Sequence, residues 1–150
     1  MSSTRLLLVD DEERFLETTR KLLQKRGVET FTAANGIDAL KVLEDHRIDV
    51  VILDVKMPGL DGVEVLRKIK QKYPLIEVVM LTGHASVESA VEGLKLGAYD
   101  YVMKPLAIED MLKKVNEAYD KKRAMEDKIR KAKVDRIISH PMAVFEKEED

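Results

Sequence analysis

The feature that most constrains this chain is a regular exchange between two hydrophobic periods. Short apolar runs alternate with stretches whose apolar residues recur at helical spacing. Leu6-Leu7-Leu8-Val9 is such a run, and it ends at Asp10-Asp11. Phe15, Leu16, Leu22 and Leu23 then recur at helical spacing up to Gly27, followed by a Thr- and Phe-rich piece from Glu29 to Ala33. Asn35-Gly36 marks a turn before Ile37, Leu40, Val42 and Leu43. Val50 to Leu53 is the next apolar run, closed by Asp54. After a loop punctuated by Pro58-Gly59 and Asp61-Gly62, Val65, Leu66 and Ile69 mark a helix that stops before Pro74. Ile76 to Leu81 predicts a buried strand ending at Thr82-Gly83. Ser86 to Leu96 predicts a helix closed by Gly97. Asp100 to Met103 predicts a last strand before Lys104-Pro105, with a final helix from about Ile108.

Strands that read as continuous apolar runs are buried on both faces, the mark of a parallel sheet. Strict βα alternation gives an open, doubly wound α/β domain with right-handed crossovers. The second strand is the least apolar and belongs at an edge. The expected fold is therefore flavodoxin-like, five parallel strands in the order 2-1-3-4-5. In such sheets ligands bind beyond the carboxyl ends of the strands, at the switch point of the topology. The strand ends here are Asp10-Asp11, Asp54, Thr82 and Lys104, which converge on that point.

Three carboxylates crowded together repel one another and raise each other's pKa unless a cation joins them. An all-oxygen ligand set suits Mg²⁺, which keeps several waters and uses one or two carboxylates. The competing reading of Asp10-Asp11 is a cap on the following helix. Lys104 supplies a counter-charge and can pair with an incoming anion. The Thr82 hydroxyl and neighbouring backbone N–H groups can donate to a phosphoryl oxygen. Carboxylate, metal, hydroxyl and lysine together describe a phosphoryl-transfer site, where positioning and charge neutralisation do most of the catalysis. Asp54 is the better nucleophile, since it ends a central strand alone.

These segments resemble the receiver domain of bacterial two-component response regulators. The resemblance rests on Leu8-Val9-Asp10-Asp11-Glu12, on Leu53 through Gly62, on Leu81-Thr82-Gly83 and on Gly97 through Leu106, in order, over about residues 4 to 120. The Gly-Ala-Tyr-Asp-Tyr stretch resembles receivers of the nitrogen-regulatory type. The resemblance implies that Asp54 is the phospho-acceptor and that Asp10, Asp11 and Asp54 hold Mg²⁺ with the backbone carbonyl of Lys56. It implies that Thr82 and Lys104 contact the phosphoryl group and that Tyr101 is an aromatic switch. It also implies a sensor histidine kinase as phosphoryl donor and a downstream protein target. The domain would be a signalling phospho-acceptor that assists its own phosphorylation and dephosphorylation.

A phosphoryl group brings about −1.5 to −2 charge and new acceptor oxygens. Drawing Thr82 and Lys104 toward it would shift the loop that leads into the helix at Ser86. Gly93 inside that helix weakens it or, alternatively, allows close packing. Lys56 and His84 flank the expected site opening and are candidates for setting the phospho-aspartate lifetime. His46 and His140 read as surface positions, and no His spacing suggests zinc.

Two other functions compete. One is a metal-dependent aspartyl-phosphate phosphohydrolase. Hydrolases of the haloacid-dehalogenase type want a second acid two residues after the nucleophile, and here that residue is Lys56. The other is a pseudo-receiver that binds partners without phosphorylation, which the full set of acidic, Thr and Lys residues disfavours. The chain contains no Cys, excluding disulfides and thiolate chemistry. It has no signal-peptide pattern and no apolar run of the roughly 18 residues a membrane span needs, so a cytoplasmic protein is expected.

Beyond residue 120 helix formers continue to His140, stopped by Pro141. The expected organisation is a receiver over 1–120 and a helical extension with an acidic tail over 121–150. Ile108, Met111, Val115, Ala118, Met125, Ile129 and Ala132 form a heptad-like stripe broken at Lys122, a candidate homodimer seam. Residues 121–150 are too few for an output DNA-binding domain, so the expectation is a stand-alone receiver or one truncated from a longer regulator. The net charge of −2 conceals three regions. Residues 1–120 hold 17 basic and 21 acidic side chains, residues 121–136 hold 8 and 3, and residues 137–150 hold 1 and 4. Bulk charge thus argues against nucleic-acid binding by the domain but leaves a basic helix behind it.

Overall fold

A computed structural model describes residues 4–57, 59–83 and 86–139. His84, His140 and the acidic tail lie outside the described residues. The elements run β1 (Arg5–Val9), α1 (Glu13–Lys25), β2 (Glu29–Ala33), α2 (Gly36–Asp45), β3 (Val50–Leu53), α3 (Gly62–Lys72), β4 (Glu77–Thr82), α4 (Val87–Lys95), β5 (Asp100–Met103) and α5 (Ile108–Ser139). The strands form one parallel sheet in the order β2-β1-β3-β4-β5, as the sequence pattern predicts.

Side chains alternate across each strand, so the sheet builds two cores. Leu7, Val9, Val51, Leu53, Val78 and Met80 face α2 and α3, meeting Ala39, Leu43, Val65, Leu66 and Ile69. Leu6, Leu8, Val50, Ile52, Val79 and Leu81 face α1 and α5, meeting Leu16, Leu23, Met111, Val115 and Ala118. Both faces of β1, β3 and β4 are thereby dry. Of the seam proposed for a second chain, Met111, Val115 and Ala118 are consumed by this core, while Met125 and Ile129 remain exposed.

Local chemistry fixes the helix starts. Asn35, Asp61 and Ser86 each accept a backbone N–H at the start of α2, α3 and α4. The N-cap of α1 is Glu12, which makes no side-chain capping bond; Asp10 Oδ1 accepts the Glu12 N–H at 2.9 Å just ahead of the helix, so Asp10 serves the helix entry with one oxygen and the site with the other. A Cβ placed on Gly93 would stand 3.7–3.9 Å from Met80, Leu66 and Tyr101, which is ordinary contact. Close packing therefore does not demand glycine there.

Candidate functional site

The first and third strands bring the acidic residues together. The Asp10 N–H donates to the Ala33 carbonyl at 3.1 Å, and the Asp54 N–H to the Val9 carbonyl at 3.0 Å. Parallel pairing thus continues one residue past β1 and β3 and holds both aspartates at the carboxyl edge of the sheet. Asp10, Asp11 and Asp54 can each present a carboxylate oxygen within 4.8 Å of the others. Asp10 and Asp54 are buried and Asp11 is exposed, leaving the cluster open on one side. Asp54 Oδ1 is buried with no hydrogen-bond partner among the described residues. A buried, unsatisfied carboxylate oxygen is costly, and a hard cation would relieve it. The three carboxylates therefore fit Mg²⁺.

Lys104 faces this cluster from the end of β5. Its Nζ lies 2.5 Å from Asp10 Oδ2 and 2.9 Å from Glu12 Oε1, and stands 4.4 Å from the centroid of the Phe15 ring. Its backbone N–H donates to the Thr82 carbonyl at 2.9 Å, tying the ends of β4 and β5 together. Burial raises the Asp10 pKa and outweighs the opposing pull of the Lys104 ammonium. Burial disfavours the Lys104 charge, but its bonds to Asp10 and Glu12 win and hold its pKa above the usual lysine value. Lys104 stays cationic at neutral pH and also feels the Asp54 charge.

Thr82 is fully buried at the end of β4, in register with Met103. Tyr101 sits one strand over, and its hydroxyl lies 2.9 Å from Ser89 Oγ of α4. Lys56 is exposed in the loop after β3.

Three contributors had no assigned role: Glu12 and Gly62 within the resembling segments, and Phe15, read only as a helical core residue. Glu12 and Phe15 hold Lys104, and Gly62 supports Asp54. A Cβ on Gly62 would stand 2.1 Å from the Asp54 carbonyl oxygen and 2.7 Å from the Val55 Cα. The Gly62 N–H donates to the Val55 carbonyl at 2.8 Å, so the start of α3 lies directly on the backbone that carries Asp54. Alternating apolar patterns carry no signal for such a close approach.

Residues 6–116 match the response regulator receiver domain family. The chain belongs to that family. Relatives of this receiver include a putative response regulator NtrX-like protein of Rickettsia bellii, 41% identical over 107 residues that make up 70% of this chain and 22% of that protein. The regulatory protein AtoC of Escherichia coli is 37% identical over 71% of this chain and 23% of its own length. The chain thus spans under a quarter of these curated relatives. Among solved structures, a CheY-like receiver domain protein from Methanospirillum hungatei superposes with a TM-score of 0.80 at 34% identity, covering 83% of this chain and 99% of that one. NtrX from Brucella abortus gives 0.79 at 31% identity, over 84% of this chain and 29% of that one. Phosphoryl acceptance is the general function of receiver domains, and Mg²⁺ bound in an acidic pocket typically serves it. No helix among the described residues is long and apolar enough to cross a membrane.

Proposed function

We propose that this receiver accepts a phosphoryl group on Asp54 from a phosphohistidine of a sensor kinase and passes the change to a partner protein. The observation that carries the reading is the meeting of three carboxylates with Lys104 at the carboxyl edge of the sheet. An Asp54 carboxylate oxygen forms the new P–O bond as the donor's P–N bond breaks. The departing imidazole keeps the electron pair and takes up a proton. Asp10, Asp11, Asp54 and the Lys56 carbonyl would hold Mg²⁺, which neutralises charge on the phosphoryl oxygens. Lys104 would leave Asp10 and Glu12 to pair with the phosphoryl group, and the Thr82 hydroxyl would donate to it. Hydrolysis returns the Asp54 carboxylate when water attacks phosphorus, the acyl O–P bond breaks and inorganic phosphate leaves.

Tyr101 is the relay in this reading. Its hydroxyl bond to Ser89 links β5 to α4. Drawing Thr82 toward the phosphoryl group would free space beside Tyr101, and an inward turn of the ring would break that link. Phosphorylation would thereby reposition α4.

Incubation with a small acyl phosphate and Mg²⁺, followed by intact-protein mass spectrometry, tests the assignment. One added phosphoryl group is expected, absent in Asp54→Asn. Sustained turnover of many phosphomonoesters would instead mark a phosphohydrolase, and no addition at all a pseudo-receiver. We further propose a cytoplasmic protein that self-associates through the exposed part of α5. Met125 and Ile129 supply its apolar contact. Sedimentation over a wide concentration range is expected to show a monomer–dimer equilibrium, and a monomer at every concentration would reject this.

A further inference from the structure

The opposite edge of the sheet holds a second set of buried charges that phosphoryl chemistry does not use. Asp49 immediately precedes β3 and is 1% exposed, and Glu77 begins β4 and is 5% exposed. Their strands are neighbours, with Val50 opposite Glu77. Two successive lysines of α5 reach them. Lys122 Nζ lies 2.9 Å from Asp49 Oδ1, and Lys121 Nζ lies 3.2 Å from Glu77 Oε2. Lys122 is itself 8% exposed, a rare state for lysine that its pairing explains. It also contacts Glu126 one turn on, at 3.3 Å.

The two acceptors are anchored from the protein side. Asp49 Oδ2 accepts the Arg5 N–H at 2.9 Å, and Arg47 pairs with Asp49 Oδ1 at 3.4 Å. Glu77 Oε1 pairs with Lys70 at 3.4 Å, whose Nζ also donates to the carbonyls of Pro74 and Ile76 at 2.9 Å each. These carboxylates cannot follow a sliding or rotating helix without leaving their other partners.

Apolar packing of Met111, Val115 and Ala118 sets the register of α5 on the sheet, but the last of these buried apolar side chains lies one turn before Lys121 and Lys122. The Lys122–Asp49 pair is dry, with a 2.9 Å hydrogen bond of well-defined geometry, and the half-exposed Lys121 adds a looser ion pair to Glu77. Without these pairs the last contacts of α5 with the sheet would be those of Ala118 and Tyr119, and the helix beyond them would be free to swing.

We propose that Lys121 and Lys122, with Asp49 and Glu77, form a lock that fixes the direction in which α5 leaves the domain and makes its extension a rigid projecting rod. Residues 123–139 continue the helix past the last buried side chain, for about 25 Å at 1.5 Å per residue. The lock grips the amino ends of β3 and β4, the strands whose carboxyl ends carry Asp54 and Thr82. Residues on the projecting segment, Met125 and Ile129 among them, are presented at a fixed distance and rotation from the domain. The extension is a strut rather than a tether. This inference does not depend on phosphorylation of Asp54.

The chain has no cysteine, so a pair introduced at the exposed Lys41 and Lys133 takes spin labels uniquely. Pulsed dipolar distances on the full, unphosphorylated chain, diluted into a large excess of unlabelled chain so that any dimer holds one labelled copy, are expected to give one narrow distribution. Replacing both members of the buried pair, Asp49→Asn with Lys122→Met, avoids stranding a charge, and adding Lys121→Met releases Glu77. The narrow peak is expected to be lost in the triple variant and retained in Arg130→Ala, which breaks only an exposed pair. Lys121→Met alone removes a half-exposed side chain and serves where the triple variant fails to fold; it should broaden the distribution partway. A broad distribution in the parent chain, or an unchanged narrow one in whichever folded variant is measured, would overturn the lock.

Discussion

A Lys104→Met variant is expected to accept phosphoryl groups on Asp54 about 10²–10³-fold more slowly than the parent chain, the usual loss when one charge-stabilising donor is removed. Lys104 is the one cation recorded in contact with the acidic cluster among the described residues, at 2.5 Å from Asp10. Its charge is secure at neutral pH, because Asp10 and Glu12 hold its pKa above the usual value despite burial. Single-turnover labelling with an acyl phosphate at saturating Mg²⁺ measures the effect. A loss below about threefold, less than 1 kcal/mol, would remove Lys104 from the mechanism. The same variant carries a pH signature. Folding raises the Asp10 pKa, so the Asp10 contribution to stability is full below the unfolded pKa and is lost as pH rises through the folded one. Removing the opposing ammonium raises the folded value further. Without added metal, Lys104→Met should therefore lose more stability than the parent chain between acidic and neutral pH, as urea denaturation would show.

Gly62→Ala is expected to destabilise the domain by about 3 kcal/mol, the upper end of overpacking costs, and to abolish most phosphoryl acceptance. The added Cβ meets backbone at 2.1 Å and 2.7 Å rather than a flexible side chain. Either the start of α3 moves away, or Asp54 and Val55 shift. Both break the 2.8 Å bond from the Gly62 N–H to the Val55 carbonyl. Equilibrium denaturation and phosphoryl labelling should fall together. Gly93→Ala makes a useful comparison, since its Cβ meets nothing closer than 3.7 Å.

Much of the site was legible because its residues sit at strand ends. A buried parallel strand is a short apolar run, and the polar residue that terminates it faces the one edge where ligands bind. Asp10, Asp54, Thr82 and Lys104 all carry that signal. Glu77 hid the opposite way. It stands inside what reads as the apolar run from Ile76 to Leu81, and only the positions of Lys70 and Lys121 explain a carboxylate there. Lys122 read as a break in a dimer seam. It is instead the partner of Asp49, 73 residues away in sequence, and no local pattern encodes a pair at that separation.

The sequence alone determined the layer architecture, the strand order and the edge where the chemistry lies. Hydrophobic period selects strand or helix, and chirality permits few ways to wind them. Tertiary structure decided what depends on distance rather than period. It placed the three carboxylates within reach of one cation and set Lys104 on Asp10 and Glu12. It laid Gly62 against the Asp54 backbone and turned the first half of the α5 stripe inward onto the sheet. Those choices are made by contacts between residues far apart in the chain, whose energies exist only once the sheet has formed.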